Sequence, residues 1–452
     1  MVALLTTLGI VLFFLGLLLS LAWHELGHLA TAKMFGIRCT QYFVGFGKTL
    51  WSVRKGDTEY GIKLIPLGGF VRMVGMIPPA RNRGETSSGK PMSRWRAMIE
   101  DARAANQTEL EPGDEDRQFY QRAPWKRLIV MFAGPGMNLI LAVVLFAVAM
   151  MGIGVLTPTS TVAEVSECVV PSSATSRDCA ADADPTPAAE AGMKAGDRIV
   201  AVNGTEAPDN NAASSLIRDT TGPATITVER DGERMDLKAN LVENEMPKRD
   251  ASGEVVYKTD ADGEFVTNDQ GQRVAEIETA GFLGVYFTNT RQPLSAGETA
   301  GEIGTMAVGV GKALVALPSK VPEVFGAAFL GHERQIDSPV GIVGASRIGG
   351  EVLAQPVPWQ DRAVILLNLL AGVNMFLFAF NMVPLLPLDG GHILGALWES
   401  VRRGFAKLFK RPDPGPFDVA QLMPVAYVVF IAFACFSVML LVADLFNPVR
   451  LT

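Results

Sequence analysis

The chain has 452 residues, 48% of them hydrophobic and 19% charged, and its net charge is −7. That is too long for one small domain, too apolar for an ordinary soluble enzyme and not basic enough for a nucleic-acid binder. Four cysteines do not make a disulfide scaffold.

Four runs exceed the roughly 20 apolar residues that a bilayer crossing needs: 2–23, 128–156, 363–383 and 424–445. The first lacks a basic start and a small-residue cleavage site, so it reads as a retained helix and not a signal peptide. Residues 1–36 thus form a first membrane helix, whose apolar run ends in LAWHELGHLA at 21–30. Residues 37–77 switch to period-two, glycine-punctuated sequence, a β region at or dipping into the cytoplasmic face. Residues 78–125 are polar and charge-mixed, a cytosolic insertion, and 126–157 form the second membrane helix.

Residues 158–290 lean acidic and contain a compact unit. It opens with a short helix and a strand, followed by a tight turn at Asn203-Gly204. A hairpin is expected around Asp231-Gly232. Residues 244–274 read as an exposed loop, and 281–287 as a returning strand. Cys168 and Cys179 are open to two readings, a pair in an oxidising compartment or two free thiols. Residues 291–360 show no clear span and read as a membrane-surface linker. A third membrane helix lies in 361–398, a basic cytosolic loop in 399–420 and a fourth membrane helix in 421–448. Arg54, Lys55, Arg94, Arg96, Lys126 and Arg127 enrich the first inter-span segment, and Arg402, Arg403, Lys407, Lys410 and Arg411 the last. The positive-inside rule therefore places both in the cytoplasm and 158–290 outside, along with both termini. The fold class expected is an α-helical polytopic membrane protein of about four helices with an inserted α+β domain.

His24 and His28 are four residues apart, hence on one helix face, with Glu25 beside them. His-Glu-x-x-His supplies two zinc ligands and a general base. The pattern is short, but ionisable groups within a membrane helix are rare and usually functional. A third ligand should lie on the same leaflet. Asp389 fits, following the third span where Pro384 and Pro387 break the helix; the plainer reading makes it the cap of a following helix. His392 is a weaker ligand candidate beside a helix-start role, and His332 reads as an exposed or capping histidine on the wrong side.

Taken together, these segments resemble the site-2 protease family, bacterial intramembrane zinc metalloproteases of the regulator of sigma-E protease type. HELGH at 24–28 resembles its metal motif. VGFG at 44–47 and IPLGGF at 65–70 resemble its membrane-reentrant β-loop. AGPGMN at 133–138 resembles its Gly-Pro-x-x-Asn motif, NMVPLLPLDG at 381–390 its Asn-x-x-Pro-x-x-x-Leu-Asp-Gly motif, and 191–205 its extracytoplasmic PDZ domain. The resemblance implies Zn2+ at His24, His28 and Asp389, with Glu25 as catalytic base. It implies that Asn381, Asn138, Gly68 and Gly69 help hold an unwound substrate strand. Against this stand interhelical hydrogen bonding for the asparagines, and turn-making for the glycines, Gly45 and Gly47 included. One PDZ unit is recognisable where some relatives carry two. Whether it binds ligand, filters by size or is purely structural stays open.

The function expected is intramembrane hydrolysis of peptide bonds in single-span membrane proteins, an anti-sigma factor among them, and of remnant signal peptides. The enzyme would sit in the bacterial inner membrane, amid lipid and without nucleic-acid partners, its site near the cytoplasmic leaflet. The alternatives are a membrane metal-ion transporter, which should carry more ionisable groups in its other spans, and a catalytically silent client-binding protein, which would not need Glu25.

Overall fold

The computed structural model describes residues 2–79, 94–107, 110–170, 179, 183–250, 255–260, 265–266, 268, 273–334 and 338–449. The chain forms two compact units, Met1–Ile153 with Pro293–Thr452, and Gly154–Gln292.

The first unit opens with α1 (Val2–Met34). Its 33 residues make about 50 Å of helix, so the far end reaches past a hydrocarbon core of about 30 Å. The buried positions Gly9, Phe13, Leu17, Ser20, His24, Gly27 and His28 repeat every three or four residues and form one stripe. Leu8, Leu12, Leu15 and Leu19 point outward. On a membrane helix this means that the small and polar residues face protein and the leucines face lipid.

Strands β1 (Cys39–Lys55) and β2 (Thr58–Met73) follow, and β1 bends back on its partner. Residues 41–44 pair with 69–72 on one side and with 59–62 on the other, while 51–54 pair with 59–62 from outside. Gly45 makes the bend: its φ is +94°, and a Cβ there would lie 2.8 Å from the Ile65 carbonyl oxygen. Tyr42 anchors the sheet to α1 by donating its hydroxyl to the Ala22 carbonyl, 2.8 Å away. Next come α2 (Arg94–Gln107) and α3 (Pro124–Ala147), the latter prolonged by a π-helical turn to Ile153. Leu29, Ala32, Ile37, Cys39, Met73, Val130 and Met131 form a core beneath this hairpin.

The second unit contains β3 (Val155–Val165), α4 (Pro187–Glu190), β4 (Arg198–Val202), β5 (Thr205–Glu206), α5 (Asn210–Arg218), β6 (Gly222–Arg230), β7 (Glu233–Pro247), β8 (Ile277–Phe282) and β9 (Val285–Gln292). The sheet runs β8-β7-β6-β4-β3-β9, with β5 paired to β4. Both expected turns are present: Asn203-Gly204 and Asp231-Gly232 have the positive φ values of tight hairpins. Asp197 is buried and bidentate to Arg230 at 2.6 Å, and also accepts the Lys194 N–H. Burial opposes its ionisation, but those hydrogen bonds hold its carboxyl below the usual range. A disulfide joins Cys168 to Cys179. The loop expected at 244–274 differs at its start, where β7 runs on to Pro247. Beyond it, among the described residues, Arg249↔Val255, Tyr257↔Ala275 and Thr259↔Phe265 form isolated bridges. The rest of that reading falls partly on 251–254, 261–264, 267 and 269–272, outside the described residues. Acidic residues hid the strand alternation at 244–247. The expected single returning strand is two, parted at Gly284, whose φ is +89°.

The first unit then resumes with α6 (Ala296–Phe325), α7 (Ile342–Ala354), α8 (Trp359–Asn381), α9 (Asp389–Leu408) and α10 (Met423–Phe446). Helix α1 meets α7 backbone to backbone, since a Cβ on Gly9 would lie 2.8 Å from the Gly349 oxygen. It meets α8 at Ser20, whose hydroxyl accepts the Asn374 amide at 2.9 Å. Among the described residues five helices are long and apolar enough to cross a membrane, the extra one being Ala296–Leu330 within the expected surface linker. The first part of the basic stretch expected as a loop, 399–408, is instead helical and forms the second half of α9, whereas Lys410 and Arg411 lie beyond its end.

Candidate metal centre

Helix α1 carries His24 and His28 on its buried stripe, and the first residue of α9 brings Asp389 opposite them. The Asp389 Oδ2 lies 3.2 Å from His24 Nε2 and 3.3 Å from His28 Nε2, and the two Nε2 atoms are 3.2 Å apart. Among the described residues these three form the one group of His, Cys, Asp and Glu side chains able to hold a metal, their ligand atoms within 4.8 Å of one another.

The approach of α9 is set by its lead-in. Helix α8 stops at Asn381, and Pro384 and Pro387 keep 382–388 out of helix until Asp389 starts the next one. Gly390 and Gly391 let the first turn of α9 pack on its own lead-in, where any Cβ would lie 2.2 Å from the Val383 oxygen or 2.7 Å from the Leu386 nitrogen.

Helix α3 supplies the far wall. His28 donates its Nδ1–H to the Val130 carbonyl at 2.8 Å, which leaves Nε2 as the lone-pair nitrogen of the neutral ring. Two glycines permit this closeness: a Cβ on Gly134 would lie 2.2 Å from His28 Nε2, and one on Gly27 would lie 2.4 Å from the Ala133 oxygen. Trp23 ties the same two helices, donating its indole N–H to the Met137 carbonyl at 3.1 Å. Asn138 is fully buried with its side-chain amide 3.3 Å from His24 Nδ1.

Glu25 lies on the hairpin side. Gly69 abuts it, a Cβ there falling 2.9 Å from Glu25 Cγ, and the backbone of Val71 hydrogen-bonds the carboxylate. The outer edge of β2 is thus set against the would-be base.

The donor set fits zinc, which takes imidazole nitrogens and a carboxylate oxygen and in catalytic sites keeps a position open. Asp389 Oδ2 is buried without a hydrogen-bond partner although it faces two imidazole nitrogens. A cation between the three would satisfy all of them.

Of the residues singled out from sequence, His24, His28, Asp389 and Glu25 meet in space. Asn138 meets them from the protein side, fully enclosed. Gly69 touches Glu25, whereas Gly68 (φ +133°) is bordered by the Phe46 ring. Asn381 turns its amide back onto the Leu377 carbonyl of its own helix, 3.0 Å away. His392 and His332 lie outside the metal-holding group. Val130, Val71 and Gly134 were not singled out. The first two act through backbone atoms, which no residue letter reveals, and Gly134 was visible only as part of AGPGMN.

Comparison with known proteins places this site in context. The peptidase family M50 profile matches residues 12–411. The chain is 35% identical to zinc metalloprotease Rip1 of Mycobacterium tuberculosis over 98% of both chains. It is similar to the proteins of that name from Mycobacterium bovis (35%) and Mycolicibacterium smegmatis (34%), again over 98% of each chain.

Proposed function

Because the chain belongs to peptidase family M50 and is a multi-pass zinc metalloprotease, we propose that it hydrolyses peptide bonds within the membrane-spanning segments of single-span proteins. The observation that carries this reading is the convergence of His24, His28 and Asp389, with Glu25 beside them, on helices whose outer faces are leucine and valine.

His24, His28 and Asp389 would hold the zinc. When bound, zinc supplies Lewis acidity and lowers the pKa of a coordinated water to about 7. Glu25 takes the proton of the attacking water and passes it to the leaving amine nitrogen. Its carboxylate is aimed by the Val71 backbone and given room by Gly69. A helical substrate hides its peptide bonds, so the segment to be cut must unwind. The 69–73 edge of β2 offers it backbone partners, as in recognition by strand addition.

Chain direction supports a four-span topology in the inner membrane. Helices α1 and α8 run the same way, with Gly16 against Leu370 and Ser20 against Asn374. Residues 293–358 therefore start and finish outside. Near α6, Leu294 bonds the outer end of α3 through Met150, and beyond it Ala327 and His332 bond Asn447 at the outer end of α10. Tied at the outer level at both ends, α6 lies along the surface and does not cross. Unit Gly154–Gln292 is then extracytoplasmic, the compartment in which its disulfide persists. We read it as the PDZ domain. An anti-sigma factor is the substrate that the sequence resemblance suggests, and remnant signal peptides are a second class.

The test is cleavage of a model single-span substrate by the protein reconstituted in lipid. Glu25→Gln is expected to abolish turnover, a loss of at least about 100-fold, while retaining wild-type zinc. Full activity in that variant would defeat the assignment.

A further inference from the structure

Asn138 lies in the middle of α3, fully buried, with its side-chain amide 3.3 Å from His24 Nδ1. Its Oδ1 has no hydrogen-bond partner. Both facts bear on the protonation of His24. Its Nε2 faces Asp389, so binding zinc there requires the neutral ring to keep its proton on Nδ1. A buried Nδ1–H needs an acceptor, and none but Asn138 adjoins it among the described hydrogen bonds. The two ends of a carboxamide have the same shape, and a half-turn about its Cβ–Cγ axis exchanges oxygen and nitrogen. That half-turn brings the unpartnered Oδ1 to His24 Nδ1–H.

We infer that Asn138 is a positioning residue: its side-chain oxygen accepts the Nδ1–H of His24 and holds that ring in the tautomer and orientation that present Nε2 to the metal. This rests on the zinc reading of His24, His28 and Asp389. The two histidines are then treated alike. His28 is oriented by the Val130 carbonyl and His24 by an amide carbonyl four residues past Gly134, so that α3 carries both acceptors on one face. It also accounts for a polar residue at the centre of an apolar helix without giving it a substrate contact.

The inference is tested on the full-length protein in detergent by zinc affinity in chelator competition and by the visible spectrum of the cobalt-substituted form. Asn138→Leu, which has no acceptor, is expected to weaken zinc binding about 10- to 100-fold and to alter the cobalt spectrum. Asn138→Asp, which can only accept, is expected to keep both close to wild type. Equal impairment of the two variants would overturn the acceptor role, as would unchanged zinc affinity in Asn138→Leu. Should Asn138→Leu fail to fold, Asn138→Asp decides: affinity near wild type supports the role and a tenfold loss overturns it. Wild-type protein and His24→Phe are run alongside. If His24→Phe binds zinc as tightly as wild type, the metal assignment itself falls and the inference with it.

Discussion

Gly134 shows how much of this site depends on an absent atom. Alanine would favour helix there by about 1 kcal/mol, yet its Cβ would occupy space 2.2 Å from His28 Nε2. Overpacking of that kind costs about 1–3 kcal/mol and falls directly on His28, one of the proposed ligands. Gly134→Ala should therefore stay folded while its zinc affinity drops at least about tenfold, measured by chelator competition. Gly152→Ala, with open space around its Cβ, should bind zinc as wild type does. At this scale the sequence is legible where chemistry resides in side chains at short spacing, as with His24, Glu25 and His28. Asp389 is far along the chain, and what pointed to it was topology and motif resemblance. The Val130 carbonyl and the Val71 backbone were out of reach, since every residue carries those groups.

Among the elements, α9 was the least legible. Its second half carries Arg402, Arg403 and Lys407 and reads as a solvated loop, but Glu399 at its centre is 0% exposed. Glu399 meets Arg127 of α3 at 2.5 Å, accepts the Phe417 N–H at 2.8 Å and has Arg403 one turn on. This buried pair joins the helix that starts with Asp389 to the helix that carries Val130 and Asn138. Removing one partner strands a charge, a cost of about 3–5 kcal/mol, whereas apolar replacement of both is often close to neutral. Glu399→Leu should thus markedly lower the melting temperature and weaken zinc binding. Arg127→Met with Glu399→Leu should recover most of the loss, short of about 1–3 kcal/mol for the orphaned Phe417 N–H. Equal melting of single and double variants would count against the pair as the fastener of α9. The end of β7 at 244–247 was missed for a related reason: its inward-facing position is the polar Asn244, between the exposed Glu243 and Glu245, so no apolar alternation marks it.

At the scale of the whole chain, hydropathy and composition made the long apolar helices and the inserted β-rich unit visible in outline. The inserted unit was expected at 158–290 and spans Gly154–Gln292. Composition cannot distinguish a helix that crosses from one that lies flat, and α6 meets the length criterion for a span. With Cys39 and Cys435 replaced, Gly309→Cys in α6 should react in intact cells with a membrane-impermeant maleimide, whereas Arg411→Cys should react only after permeabilisation. Protection of position 309 and labelling of 411 from outside would reverse the topology.

His28 and Asp389 stand near opposite ends of the chain, with the entire inserted unit between them. An ion held by both is therefore a clasp as well as a reagent: it closes a loop through most of the polypeptide, and α9 cannot leave α1 without opening it. Binding to the closed form alone would stabilise that closure by about 4 kcal/mol at a thousandfold excess over Kd. The atoms that cut the substrate would also be a seam that keeps the two ends of the enzyme together.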